Sequence, residues 1–167
     1  MTTTRKIAGA SIPPAKHPPM STYLAAQLKP LNDQVSLKIL GEDDSGSARV
    51  GACHGPLNEL TPETLTKALG FKMETAQELH ERVVRFDKIA KNDAEFWDDF
   101  LENQDEPAAG AKAQELLTGK NVAEVAAMVV NENTPDHHPS SATAFLAARL
   151  TDGSMVYLRG TVGGMGF

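Results

Sequence analysis

The sequence predicts an α+β fold in which a small antiparallel sheet, built from two hairpins, packs against a helical insertion with one long central helix. Three observations predict it. Apolar and polar residues alternate at the start of the first hairpin, residues 35–53. An Asp152-Gly153 turn divides two apolar runs in the second, residues 143–162. Between the hairpins, an apolar stripe recurs at helical spacing.

The first hairpin is predicted from a change in residue character along the chain. Val35, Leu37 and Ile39 alternate with Ser36 and Lys38, which is typical of a strand with one buried face. The following Gly, Ser and acidic residues favour a loop, and residues 48–53 are consistent with a returning strand.

The middle of the chain carries several helix-start signals. Thr61-Pro62 and the pair Thr75 with Glu78 are both typical of helix N-termini. Two later helices are predicted over residues 107–119 and 121–129. The long central helix is predicted from a stripe spaced by three and four residues: Leu79, Val83, Phe86, Ala90, Ala94, Trp97 and Leu101.

The second hairpin is predicted to be apolar on both faces. A two-residue type I′ turn at Asp152-Gly153 would place Leu150 opposite Met155. We expect the face with the larger side chains to join the core. The face with Val156 and Leu158, flanked by Arg149, then becomes a candidate interface with another subunit.

Composition and charge limit the classes of partner. The chain has 16 Lys and Arg against 22 Asp and Glu, a net charge of −6, so general nucleic-acid binding is not expected. No apolar run reaches the roughly 18 residues of a membrane span. The one cysteine precludes an internal disulfide and fits a reducing compartment, so we expect a cytoplasmic location or a particle assembled in the cytoplasm.

Three regions are predicted. Residues 1–20 are proline-rich and favour an extended arm, residues 21–162 form a single α+β domain, and residues 163–167 form a flexible, glycine-rich tail. The arm and the tail carry isolated apolar side chains that could anchor them to a partner, namely Ile7, Ile12, Met165 and Phe167.

Two short motifs suggest chemistry. Cys53-His54 could form an activated thiolate, but neighbouring residues on a strand point to opposite sides. Asp136-His137-His138 could contribute to a zinc site with Cys53 and His54, although the spacing is unlike that of common zinc motifs. The weight of these observations predicts no catalytic residue, no cofactor and no metal.

The sequence therefore predicts a non-enzymatic structural or assembly subunit, for example of a phage or virus particle, that binds other protein subunits. The alternative is a small cytoplasmic lyase or hydrolase that uses His137, His138 and Cys53. The predicted contact residues of the assembly subunit are Ile7, Ile12, Arg149, Val156, Leu158, Met165 and Phe167.

Overall fold

A computed structural model describes residues 17–41, 43–44, 47–131 and 141–163. The described part contains helices and strands in mixed order, with short 3-10 turns at Lys29–Leu31 and Lys38–Leu40. The helices are α1 (Met20–Leu28), α2 (Pro62–Ala68), α3 (Ala76–Arg82), α4 (Ala94–Glu102) and α5 (Pro107–Leu117). The strands are β1 (Val35–Ser36), β2 (Asp43–Asp44), β3 (Ser47–Cys53), β4 (Val83–Ile89), β5 (Val122–Asn131), β6 (Ser141–Leu150) and β7 (Met155–Gly163).

The strands form one antiparallel sheet of order β1-β3-β7-β6-β5-β4. The short strand β2 pairs with the end of β7, beside β3. Strands β4 to β7 follow one another as neighbours, and α4 and α5 lie in the connection between β4 and β5. The expected mixture of helices and an antiparallel sheet is confirmed. None of the helices in the described ranges is long and apolar enough to cross a membrane.

The two faces of the sheet are covered differently. On the first face, called here the helical face, Trp97 and Phe100 of α4 and Leu117 of α5 pack in one core with Leu146 and Leu158. On the second face, the segment around α2 covers β5, β6 and part of β7, where Leu65 packs with other buried side chains, including Met128, Phe145 and Met155. Apolar side chains of the second hairpin are therefore buried on both faces within this chain.

The predicted long central helix is wrong. Residues 76–82 and 94–102 are separate helices, and strand β4 lies between them. A bulge in β4 explains the misleading spacing, because the register with β5 shifts between Val83 and Arg85. The bulge puts Val83 and Phe86 on the same face although they are three residues apart, as in a helix.

The predicted helix at residues 121–129 is also wrong, because this segment belongs to β5. Its side chains alternate between the two cores, with Val125 and Val129 on the helical face and Ala126 and Met128 on the other. A strand that is buried on both faces is apolar along its whole length, so its sequence resembles that of a buried helix.

The first hairpin is shorter than predicted. Only Val35 and Ser36 pair with the returning strand β3, and residues 38–40 form a 3-10 turn. Strand β3 instead makes its longer pairing with β7, from Arg49 to Cys53. No local pattern predicts this contact, which joins residues about a hundred positions apart.

The second hairpin has its turn where predicted but in a different register. Gly153 has a φ of +90°, Asp152 is not in the positive-φ region, and the Leu150 N–H donates to the carbonyl of Ser154. The loop is therefore three residues long, which is typical of a type I turn followed by a left-handed glycine. Leu146 consequently faces Leu158, one residue away from the predicted pairing. This shift exchanges the face assignment of the β7 side chains.

Candidate functional site

An open groove lies on the second face of the sheet, beyond the area that α2 covers. Strands β3 and β7 form its floor, and it encloses about 350 Å³. Its lining is partly polar and partly apolar and carries two positive charges, those of Arg49 and Arg159. The other lining residues are Ser47, Val50, Gly51, Tyr157, Gly160 and Thr161. We call this feature the arginine groove.

The two arginines of the groove lie directly opposite each other. Arg49 of β3 pairs in register with Arg159 of β7, so both side chains leave the sheet on the same face. Like charges in this position repel each other, and such a pair destabilises a sheet. The arrangement is notable in a chain whose net charge is −6.

The two guanidinium groups have different partners within the chain. Arg49 donates through Nη1 to the exposed carboxylate of Asp33 at 2.5 Å. Arg159 lies over the ring of Phe145, with its Cζ 5.4 Å from the ring centroid. Among the described residues Arg159 has no carboxylate partner, so its hydrogen-bond donors are available to a ligand.

Aromatic rings fix the position of this cationic surface. The rings of Phe145 and Tyr157 meet edge to face, with centroids 5.9 Å apart. Tyr157 lies across Gly51 so closely that a Cβ at Gly51 would be 2.4 Å from the ring. A glycine is therefore needed on β3 for the ring to lie across the strand. The rings hold Arg159 over an apolar floor at the edge of the core.

The chemistry of the groove favours an oxyanion. Guanidinium groups bind carboxylates and phosphates through planar, often bidentate hydrogen bonds. Two such groups beside the Ser47 hydroxyl could hold one or two carboxylates from outside the chain. The competing pair with Asp33 is solvent-exposed, and exposed ion pairs contribute little free energy, so an incoming carboxylate can replace it.

Arg149, a predicted contact residue, is instead part of an internal ion cluster. Its Nε donates to Glu124 at 2.6 Å, and Lys88 Nζ donates to the same carboxylate at 2.7 Å. Glu124 also accepts from the Leu60 N–H at 3.2 Å, which ties the start of the α2 segment to the sheet. Burial by itself raises the pKa of Glu124, but hydrogen bonds and attraction from Lys88 and Arg149 outweigh it and lower the pKa.

Val156 and Leu158, two further predicted contact residues, lie in the core on the helical face. Val156 is 0% exposed and Leu158 is 2% exposed. The shifted hairpin register is the physical reason, because it turns both side chains towards the helices. They present almost no surface to a partner in the folded chain.

A hydrogen-bonded network joins the start of α1 to the turn between β6 and β7. The carboxylate of Asp152 accepts from the Met20 N–H at the start of α1, at 2.8 Å. Ser154 Oγ donates to Asp152 at 2.6 Å and accepts from the Ser21 N–H at 3.0 Å. Burial raises the pKa of Asp152, but the hydrogen bonds from Met20 and Ser154 outweigh this effect and lower it.

The same network contains a serine–histidine pair, with Ser21 Oγ 3.1 Å from His54 Nδ1. The residue types resemble those of a serine hydrolase, but the connections differ. Asp152 bonds to the helix and to Ser154, whereas a catalytic carboxylate orients the imidazole. Ser21 is 0% exposed and therefore cannot reach a substrate. The pair fastens α1 to the sheet.

The described residues do not bring the remaining predicted site residues together. Cys53 is half-buried and packs in the core below α2, whereas His54 turns towards α1, so the two side chains diverge. In the described ranges, no group of three His, Cys, Asp or Glu side chains could hold a metal ion. Several predicted residues lie outside the described residues: Ile7, Ile12, Asp136, His137, His138, Met165 and Phe167.

Sequence reasoning missed the arginine groove because its two halves are distant in the chain. Arg49 and Arg159 each interrupt an otherwise apolar stretch, which is the one local signal they carry. Their proximity depends on the β3–β7 pairing, which no turn or short motif predicts. No protein-family model matches the sequence, and no curated protein is significantly similar to it.

Proposed function

We propose that this protein is a non-enzymatic assembly subunit that binds an acidic segment of a partner protein in the arginine groove. The observation that carries this proposal is the facing pair Arg49 and Arg159 on an open part of the sheet. Among the described residues, Arg49 has the exposed Asp33 as its carboxylate partner, and Arg159 has none. A pair of like charges is unfavourable for the isolated chain, and a carboxylate-bearing partner would remove that cost. A subunit of a phage particle or of another multi-subunit complex fits this role.

The described residues expose little apolar surface, and this supports a polar mode of contact. Among the described residues, Tyr23 is the one large apolar side chain that is exposed, at 57%. Obligate interfaces are usually built around large apolar patches, whereas weaker or regulated ones are more polar. The groove therefore suits a charged, extended peptide better than a broad apolar surface.

The alternative of a small lyase or hydrolase has less support. Its strongest geometric feature in the described ranges is the pair of Ser21 and His54, and Ser21 is buried. Cys53 diverges from His54 and packs in the core, so a shared proton between them is not favoured. No observation in the described part favours this alternative over assembly.

The test is binding of a fluorescently labelled poly-glutamate peptide, measured by anisotropy at low and at physiological salt. We expect Arg159→Gln to weaken binding about tenfold, because a hydrogen-bonded charge pair contributes roughly 1.5–3 kcal/mol. Lys112→Gln removes the same charge from the exposed face of α5 and should leave the affinity unchanged.

Two results would contradict the proposal. One is equal peptide affinity for Arg159→Gln and for the unmodified protein. The other is tighter binding of a single-stranded oligonucleotide than of the peptide under the same salt conditions, since that would identify phosphate as the preferred anion.

A further inference from the structure

The outer edge of the sheet at β4 is a second candidate surface. β4 ends the strand order, and the described residues place no strand beside it. Alternate backbone N–H and C=O groups along this edge therefore point away from the sheet. Such an edge is a template for pairing with another chain, and proteins usually protect it.

Charged side chains along β4 are the usual form of protection. Arg85 and Asp87 are two residues apart and lie on the same face, with Nε and Oδ2 separated by 2.8 Å. Both are partly exposed, at 36% and 49%. Arg85 also donates through Nη1 to the Ile39 carbonyl at 3.2 Å, so its position is fixed by the chain.

The order of these charges is self-complementary. The strand runs from Val83 to Ile89, and its central residue is Phe86. If two copies of β4 paired antiparallel about a two-fold axis at Phe86, Arg85 of each copy would face Asp87 of the other. Two phenylalanines would meet at the centre. If the charges on β4 served only to repel other copies, they would all have the same sign, whereas Arg85 and Asp87 have opposite signs.

We propose that β4 pairs antiparallel with β4 of a second copy, which makes one continuous sheet through a two-fold dimer. This inference rests on the proposed assembly role but uses a surface separate from the arginine groove. Backbone hydrogen bonds would supply the attraction, and the Arg85–Asp87 pairs would select the register and the orientation. Because the interface is two-fold, each substitution acts twice.

Charge reversal in trans tests the pairing. We expect Arg85→Asp and Asp87→Arg each to weaken self-association at least tenfold in sedimentation equilibrium, because each places like charges opposite one another twice. An equimolar mixture of the two variants should form a heterodimer, detected by native mass spectrometry, because every facing pair is then of opposite sign. Rescue in trans cannot come from repair of the ion pair within one chain.

Three controls keep the experiment interpretable. Lys112→Glu reverses an exposed charge on α5 and should leave self-association unchanged. Circular dichroism melting of each variant shows whether it folds, and the double variant Arg85→Asp/Asp87→Arg should self-associate as the unmodified chain does.

Several outcomes would overturn β4 pairing. These are an unmodified chain that stays monomeric, single variants that dimerise normally, and a mixture that does not form a heterodimer although both variants fold. The poly-glutamate measurement separates this failure from failure of the proposed function. Retained peptide binding in the Arg85 and Asp87 variants leaves the groove proposal intact, whatever happens at β4.

Discussion

Two clusters of positive side chains lie on the same face of the sheet, yet they have opposite surroundings. In one, Arg149 and Lys88 share the carboxylate of Glu124. In the other, Arg49 lies opposite Arg159, and the described residues provide one carboxylate, the exposed Asp33, which bonds to Arg49 and leaves Arg159 without a carboxylate partner. The first cluster is largely shielded by the α2 segment, and the second is open to solvent.

The difference shows how a charge on a sheet can be assigned to structure or to binding. Arg149 has an internal partner and is 18% exposed, so its charge is used within the fold. Arg159 has the ring of Phe145 as its neighbour and retains its hydrogen-bonding capacity. An arginine on a sheet is therefore a candidate for binding when the fold provides no carboxylate for its charge.

The largest effect on stability should come from a substitution that tests whether Leu158 and Arg159 lie on opposite faces of the sheet. Leu158→Asp places a carboxylate in the core of the helical face, and we expect it to lower the free energy of unfolding by roughly 4 kcal/mol or more. Arg159→Asp is the matched control on the next residue. Because its side chain is exposed on the opposite face, the loss should be about 1 kcal/mol or less. Urea denaturation measures both, and similar losses would contradict the face assignment.

The successes of the sequence analysis are local. Thr61 caps α2, with reciprocal hydrogen bonds to Thr64, and Thr75 caps α3. Pro107 begins α5, as predicted. The turn at residues 151–154 is also where the sequence placed it. Caps and turns depend on side chains within a few residues of one another, so a single sequence contains the necessary information.

The failures have tertiary causes. Strand β5 was predicted as a helix because burial on both faces removes the alternation that marks a strand. The bulge at Val84 gave β4 the spacing of a helix. The arginine groove depends on the long-range pairing of β3 with β7. The prediction of Arg149 as a contact residue depended on the predicted register of the second hairpin, from which the observed pairing differs by one residue. Local patterns do not contain these contacts.

An intermediate effect is expected at the internal cluster. Glu124→Gln leaves the cations without their counter-charge, so we expect a loss of about 1–3 kcal/mol in the free energy of unfolding at neutral pH. The folded pKa of Glu124 is below its ordinary value of 4.5. Its contribution is therefore present above the unfolded pKa and is lost as pH falls through the folded pKa.

The pH dependence makes this prediction specific to ionisation. Urea denaturation at several pH values should show the difference between the unmodified protein and Glu124→Gln shrinking as the solution is acidified. A difference that stays constant through the acidic range would mean that Glu124 acts through packing or neutral hydrogen bonds. Glu115→Gln, at an exposed position on α5, serves as the control and should change neither quantity appreciably.

The smallest effect on stability, and the sharpest on binding, should come from giving the groove the charge pattern of the internal cluster. Arg49→Glu places a carboxylate directly opposite Arg159, as Glu124 lies opposite Arg149. A favourable cross-strand pair contributes roughly 0.2–1 kcal/mol. The lost pair with Asp33 is solvent-exposed and contributes about 1 kcal/mol or less, so the net change in stability should be within about 1 kcal/mol.

Binding of the poly-glutamate peptide should respond differently. In Arg49→Glu the new carboxylate occupies Arg159 and repels the peptide, so we expect affinity to fall at least about tenfold, a change of roughly 1.4 kcal/mol. Arg49→Gln removes one cation without supplying a counter-charge, and it should weaken binding less. Fluorescence anisotropy on folded variants gives the order of affinities. If Arg49→Glu binds as tightly as Arg49→Gln, internal compensation does not govern access to Arg159, and the contrast between the two clusters loses its functional meaning.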